Sequence, residues 1–259
     1  MFYYFGYGSN MGRLSLRTKG VEPCGTEPTV LSDWHLVFNI THPFAFEGSV
    51  ANVMPEVDGR VHGALHACAV EVLHHLDSFE GLGVYYERVQ LEVRTYQGEL
   101  YIAYVYVGLP TILKPEGKPS LRYRNILVER GRDVGLVDDY LDRLMSIPIH
   151  PVPGHPPFTP PRGNTERITL QELAGRPLHT AFAGYVFDMS EAGPQHQTLT
   201  GHLAGHEVTL FFLQRMDSNI GDEAMNGIDL NQLNKVQRRC LNDYLHEFCI
   251  EYRYVGHLV

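Results

Sequence analysis

Two segments of the chain carry residue types that could do chemistry together. Tyr7-Gly8-Ser9-Asn10-Met11 follows a short apolar run, Phe2–Gly6. A strand that feeds Gly-Ser-Asn presents successive backbone N–H groups at its end, and glycine permits the close approach and unusual dihedrals that an anion nest needs. A carboxylate would sit well there. Further along, Leu76-Asp77-Ser78-Phe79-Glu80-Gly81 offers Glu80, a carboxylate able to take and return protons. Each segment alone also fits a plainer reading: a polar turn after an edge strand for the first, a solvated loop carboxylate for Glu80.

Other spacings carry less. His202-Leu203-Ala204-Gly205-His206 has the four-residue interval that places two imidazoles on one helical face, but Gly201 and Gly205 favour a turn and no Glu follows the first His. The run Asp217-Ser218-Asn219-Ile220-Gly221-Asp222-Glu223 has the composition of a calcium loop without its acidic spacing. The sequence contains neither the Gly-x-Ser-x-Gly of serine hydrolases nor a phosphate loop ending in Gly-Lys-Ser/Thr. Four scattered cysteines, Cys24, Cys68, Cys240 and Cys249, form no Cys-x-x-Cys pair and read as free thiols of a reducing cytoplasm. A net charge of −9 opposes non-specific binding to nucleic acid or anionic membrane, and no apolar stretch reaches eighteen residues.

The elements that must position Glu80 and the Gly-Ser-Asn loop follow from periodicity. Alternating and β-branched runs predict strands at Phe2–Gly6, His35–Ile40, Ser49–Met54, Val61–Ala67, Tyr85–Thr95 and Glu99–Val107. A short helix over Val70–Leu76 leaves Glu80 in the loop that follows it. Pro119-Ser120 opens a helix with Arg130 in its last turn and Gly131 as its cap, and a second helix carries Leu136, Tyr140, Leu141 and Leu144. Seven prolines between Ile147 and Arg162 interrupt any ladder. Beyond them, Thr180–Phe187 and Glu207–Leu213 read as strands, and Asp229 and Gln232 as the start of a long amphipathic helix. The expected organisation is a domain over 1–148, a Pro-rich linker over 149–162 and a carboxyl-terminal α+β unit over 163–259.

The first segment resembles the Tyr-Gly-Ser-Asn signature of the γ-glutamylcyclotransferases and their AIG2-like relatives. Val61-His62-Gly63-Ala64-Leu65 is similar to that family's strand before the helix, and Leu76–Gly81 to its Leu-Asp-x-x-Glu-Gly motif. The resemblance continues through Tyr85-Tyr86-Glu87-Arg88-Val89, Pro119–Tyr123 and Gly135–Leu144, and so covers roughly residues 1–148. It does not extend to Ser15–Thr29, which carries no family pattern, or to the carboxyl-terminal part.

This resemblance implies an α+β fold: a small mixed β-barrel with flanking helices, followed here by a smaller α+β unit ending in a long helix. It implies an enzyme that cyclises a γ-glutamyl amide, releasing 5-oxoproline and a free amine, with no cofactor and no metal. Glu80 would be the general base and acid; Tyr7, Gly8, Ser9, Asn10, Met11, Tyr86, Tyr123 and Tyr140 would contact the substrate. The backbone N–H groups of Gly8, Ser9 and Asn10 would take the α-carboxylate, and some of them or the Asn10 amide would face the oxyanion. The expected partner is a small γ-glutamyl compound, with no nucleic acid or membrane, in a cytoplasmic protein that could form a homodimer. The alternative is a non-catalytic module on the same fold that binds a γ-glutamyl or other carboxylate ligand without turnover, or that serves protein interaction.

Overall fold

Residues 1–151, 154–163, 165–216 and 232–259 are described in the computed structural model. Strands β1 (Phe2–Gly6), β2 (Gly25–Thr41), β3 (Ser49–Cys68), β4 (Tyr86–Thr95) and β5 (Leu100–Gly108) close into a barrel in the order β1-β3-β2-β4-β5. All ladders are antiparallel except the closing one, where β1 runs parallel to β5 at Tyr4 and Tyr104. The run expected as a strand at His35–Ile40 lies in the last part of the long strand β2, and those at Ser49–Met54 and Val61–Ala67 are the two ends of one long strand, β3; β2 and β3 pair from Gly25↔Ala67 to Thr41↔Ser49. Two register shifts bend this hairpin, between Ser32 and Trp34 and between Val37 and Ile40, and let it wrap the barrel. Phe5, Met11, Val53, Val61, Leu65, Val105 and Leu127 fill the interior.

Four helices flank these strands: α1 (Arg13–Arg17), α2 (Leu73–Glu80), α3 (Leu121–Val134) and α4 (Asp138–Ser146). Ser120 caps α3 by accepting the Tyr123 N–H. Gly131 is not that helix's cap. The helix runs on to Val134 and closes at Gly135, in the left-handed conformation at φ 88°. Gly131 instead lets α3 and α4 approach, because a Cβ there would meet Leu141 Cδ2 at 2.9 Å and Leu136 Cδ1 at 3.1 Å. Glu80 likewise lies in no loop: it is the last residue of α2, which ends at Gly81 with φ 63°.

The chain divides into two units, Met1–His42 with Glu47–Val152, and Pro43–Phe46 with Pro153–Val259. No sequence feature announces that Pro43–Phe46 belongs to the second unit. That unit holds β6 (Glu166–Ile168), α5 (Leu170–Ala174), β7 (His179–Phe182), β8 (Tyr185–Asp188), α6 (Pro194–Leu203), α7 (Thr209–Met216), α8 (Lys235–Glu251) and β9 (Arg253–Leu258). Its sheet has the order β6-β9-β8-β7. The run Thr180–Phe187 folds as a hairpin turned at Ala183 and Gly184, both at positive φ.

The strand expected over Glu207–Leu213 is the helix α7. A short apolar run cannot be assigned by periodicity alone, and here Phe212 and Leu213 are buried on one helical face. The long helix opens at Asn234, whose side chain accepts the Gln237 N–H while Gln237 bonds back. Asp229, expected at that start, and the acidic stretch Asp217–Glu223 lie outside the described residues. The chain closes on β9 after α8, a strand not expected from its sequence.

Candidate functional site

At the end of β1 the chain turns sharply through a single 3-10 turn, Ser9–Met11, held by Met11 N–H donating to Gly8 O at 3.0 Å. Gly6 makes the turn possible: a Cβ on it would lie 2.6 Å from the Asn10 carbonyl oxygen. Among the described residues, none accepts a hydrogen bond from the N–H groups of Gly8, Ser9 or Asn10. Three consecutive backbone donors thus have no partner among the described residues. Met11 is fully buried in the barrel core and acts as the loop's anchor.

Asn10 ties this loop to Glu80. Its amide nitrogen donates to Glu80 Oε1 at 2.8 Å and to the Tyr4 hydroxyl at 2.9 Å, which uses both of its N–H bonds. The Asn10 amide is therefore occupied in aligning Glu80 and is not free to donate to an oxyanion. Its carbonyl Oδ1 accepts from Ser15 Oγ at 3.2 Å and from Lys19 Nζ at 2.8 Å. Lys19 Nζ also reaches Glu80 Oε1 at 2.8 Å, and the two charged side chains are only 13% and 16% exposed. Glu80 Oε1 is thus doubly held, while Oε2 has no hydrogen-bond partner among the described residues.

Supports behind the site fix both carboxylate and loop. In α2, Asp77 accepts from Arg88 Nη1 through both oxygens, at 2.6 and 2.5 Å, and from the Tyr106 hydroxyl at 2.7 Å, which pins the helix that ends in Glu80. His66, on β3 and fully buried, lies 2.8 Å from the Asn10 carbonyl through Nε2 and 2.9 Å from Thr26 Oγ1 through Nδ1. A carbonyl only accepts, so Nε2 carries the proton and Nδ1 takes the threonine hydroxyl. Burial lowers the His66 pKa to about 4, against a smaller upward pull from the Asn10 carbonyl, and keeps the ring neutral.

The tyrosines divide into two groups. Tyr7 donates to the Tyr106 carbonyl at 2.5 Å, so its hydroxyl anchors the loop. Tyr86 donates to the Ala51 carbonyl at 3.2 Å, and Tyr123 accepts from Ala51 N–H at 3.3 Å with its oxygen 3.0 Å from where a Cβ on Gly8 would stand. Burial first, and then the charge of Glu80 among neighbouring groups, raises the pKa of Tyr4, Tyr7 and Tyr86, so these phenols stay protonated. Tyr140 stands apart. Its ring stacks on His62 at 4.6 Å, its neighbours are Tyr96 and Arg143, and its buried hydroxyl finds no partner with full hydrogen-bond geometry.

Five residues of this constellation escaped sequence reasoning as functional groups: Tyr4, Lys19, His66, Asp77 and Arg88. Asp77 and Arg88 lie inside motifs quoted above, and Tyr4 adjoins one, so proximity was their signal. Lys19 falls in the stretch with no family pattern, and nothing in its context distinguishes it from a surface lysine.

The first unit thus brings together a closed barrel, three N–H groups at one strand end without a partner among the described residues, and a part-buried carboxylate beside them. Residues 4–125 match the family described as Gamma-glutamyl cyclotransferase, AIG2-like. Solved structures similar to the chain include the human protein described as uncharacterized protein loc79017, with 21% identity, a TM-score of 0.53, and coverage of 60% of this chain and 92% of the other. Another, named Gamma-glutamyl cyclotransferase, has 21% identity, a TM-score of 0.52 and the same coverage. At that identity the likeness speaks for the fold. A comparison with curated proteins returned no match. Among the described residues, no helix is long and apolar enough to cross a membrane.

Proposed function

We propose that the first unit is a γ-glutamylcyclotransferase, which converts a γ-glutamyl amide into 5-oxoproline and a free amine. The observation that carries this reading is the division of labour on Glu80: Oε1 is fixed by Asn10 and Lys19, and Oε2 is left for the reaction. The substrate contains its own nucleophile. Held curled, its α-amine reaches the γ-carbonyl and closes a five-membered ring, with the proximity advantage of an intramolecular attack. Glu80 Oε2 takes a proton from the α-ammonium, the amine nitrogen bonds to the γ-carbon, and that proton passes to the leaving nitrogen as the amide C–N bond breaks; the ring nitrogen sheds its second proton by way of the freed carboxylate to the departing amine, which leaves as an ammonium. Charge and atoms balance with no further reactant.

The free N–H groups of Gly8, Ser9 and Asn10 receive the α-carboxylate in this reading, and Tyr86 and Tyr123 shape the wall around the glutamyl chain. Incubation with a panel of γ-glutamyl compounds, followed by mass spectrometry for 5-oxoproline, tests it. Turnover is expected for at least one compound, and Glu80→Gln should abolish it while leaving binding intact, a loss of about 1,000-fold or more in kcat. A Glu80→Gln variant with near wild-type turnover would remove Glu80 from the proton-transfer role. Binding across the panel without 5-oxoproline would favour the carboxylate-binding module.

A further inference from the structure

The ammonium of Lys19 sits on Glu80 Oε1, beside the Oε2 to which the substrate ammonium must come, and both charged side chains are largely shielded from water. We propose that Lys19 is an exchangeable counter-ion, neutralising Glu80 in the empty site and passing to the substrate's α-carboxylate when the α-ammonium reaches Oε2. This inference rests on the cyclisation reading and adds a specificity residue to it.

Three observations carry it. First, the site has an internal ion pair, and a γ-glutamyl compound brings a zwitterion of the same two charges. Exchange of partners gives two new opposite-charge contacts and leaves no charge unpaired, whereas a lysine that stayed in place would crowd two cations onto one carboxylate. Second, Lys19 has a pivot. Its Nζ bonds Asn10 Oδ1 at the same 2.8 Å as Glu80, and Asn10 is the last of the three residues whose N–H groups are free. An ammonium on a flexible four-carbon stem can turn about Asn10 Oδ1 from the carboxylate of Glu80 toward an anion seated on that loop. Third, the turn that carries Lys19 is built to stay near the site. The Lys19 N–H donates to Leu16 O, Gly20 adopts φ 73°, and the ring of His75 on α2 packs 3.8 Å from where a Cβ on Gly20 would stand. The same helix delivers both Glu80 and the surface on which the Lys19 turn rests.

If exchange is the role of Lys19, its charge should matter for the α-carboxylate and much less for the reacting centre. The experiment compares the γ-glutamyl compound turned over most readily in the panel with its 4-aminobutanoyl counterpart, which has the same amine and leaving group but no α-carboxylate. Lys19→Gln keeps a hydrogen-bond donor near Asn10 and Glu80 without the charge, and Lys19→Met removes both. Each should lower kcat/KM by about 30-fold more for the γ-glutamyl compound than for the counterpart, which loses only what Lys19 contributes to holding Glu80, and the excess should fall chiefly on KM. Lys19→Arg should stay within about 10-fold of wild type on the γ-glutamyl compound, because the charge is kept. Equal losses on the two substrates, or a Lys19→Gln variant that matches wild type on both, would overturn the exchange while leaving cyclisation standing. A wild-type protein that forms 5-oxoproline from nothing in the panel would remove both readings.

Discussion

The two units of the chain bury polar groups to opposite ends. In the first, Tyr4, Asn10, Lys19, His66 and Glu80 form a continuous polar network that ends on a carboxylate oxygen and a run of N–H groups with no partner among the described residues. In the second, buried polar groups are consumed by the unit's own construction. His196 lies between the Tyr252 hydroxyl at 2.7 Å and the Pro43 carbonyl at 2.9 Å, Glu247 accepts from Ala45 N–H at 3.1 Å, and Asp188 pairs with Arg253. Around them Phe44, Phe182, Phe187, Phe212, Tyr244 and Phe248 stack and cross. A polar interior thus signals a site only when part of its hydrogen-bonding capacity is left unspent.

The largest expected effect tests the second half of that contrast. Phe248 is fully buried, stacked on Phe182 at 4.8 Å and on Phe44 at 5.5 Å. Phe248→Ala should cost about 3–5 kcal/mol of stability by losing burial and opening a cavity. Denaturant unfolding measures this, and kinetics on the folded fraction should show KM for the γ-glutamyl compound unchanged. A shifted KM would break the contrast by bringing the aromatic unit into substrate binding.

Acid should act first on the polar unit through His66. Its folded pKa, about 4, lies below the ordinary value of 6.5, so the unfolded chain binds more protons between those limits. The stabilisation from keeping this ring neutral is complete above pH 6.5 and is lost as pH falls through about 4, a change of about 3 kcal/mol. Below that window Glu47 continues the loss. Burial works to raise its pKa, but Arg122, His42 and the Ser120 hydroxyl outweigh burial and hold it at about 2, so its contribution is present above 4.5 and fades toward 2. Burial also lowers the pKa of His62 in the same unit, to about 4, and those of His179 and His196 in the second, so a single variant is needed to assign the share of His66. His66→Gln should flatten the dependence of unfolding free energy on pH between 6.5 and 4 by roughly the slope of one proton. An unaltered slope would place the acid sensitivity elsewhere.

How far the sequence discloses this arrangement depends on the kind of residue. The strands are legible because they alternate and their turns carry glycine; their closure into a barrel follows only from the resemblance, in which Tyr7–Met11 and Leu76–Gly81 arrive in one family order. Glu80 was legible for that reason, though not its place as the last residue of α2, which depends on Gly81 adopting positive φ. Long-range contacts were not legible. Lys19 meets Glu80 only because the turn after α1 packs on α2, and His66 meets Asn10 only because β1 and β3 pair in a particular register. Tyr140, placed by resemblance among the substrate contacts, lies with His62 because its helix packs on another part of the barrel. In the second unit, α7 was misread because a four-residue apolar run supports either period. The assignment of Pro43–Phe46 rests on Phe44 and Phe46, aromatics that any core would accept.

Asn10 offers a smaller and more pointed test within the polar unit. Its side chain joins Tyr4, Ser15, Lys19 and Glu80, so Asn10→Ala should release Glu80 from one of its two holders. A general base displaced by a fraction of an ångström loses much of its advantage, and kcat should fall by about 30- to 100-fold with KM changing less. An unchanged kcat would mean that Glu80 needs no alignment from Asn10. A loss confined to KM would instead return the Asn10 side chain to substrate contact.

Tyr7 should give the smallest effect, and it separates anchoring from chemistry most cleanly. Its hydroxyl donates to the Tyr106 carbonyl at 2.5 Å in a fully buried setting, and burial raises its pKa well above the ordinary phenol value, which leaves no proton to spare at neutral pH. Tyr7→Phe keeps the ring against Phe5 and removes only the donor, so it should cost about 1–2 kcal/mol of stability for the orphaned carbonyl. Turnover of the folded variant should remain within about 3-fold of wild type, because no reacting atom in the proposed cycle exchanges a proton with this hydroxyl. A drop beyond 100-fold with little change in unfolding free energy would move Tyr7 from the scaffold of the nest into the reaction itself.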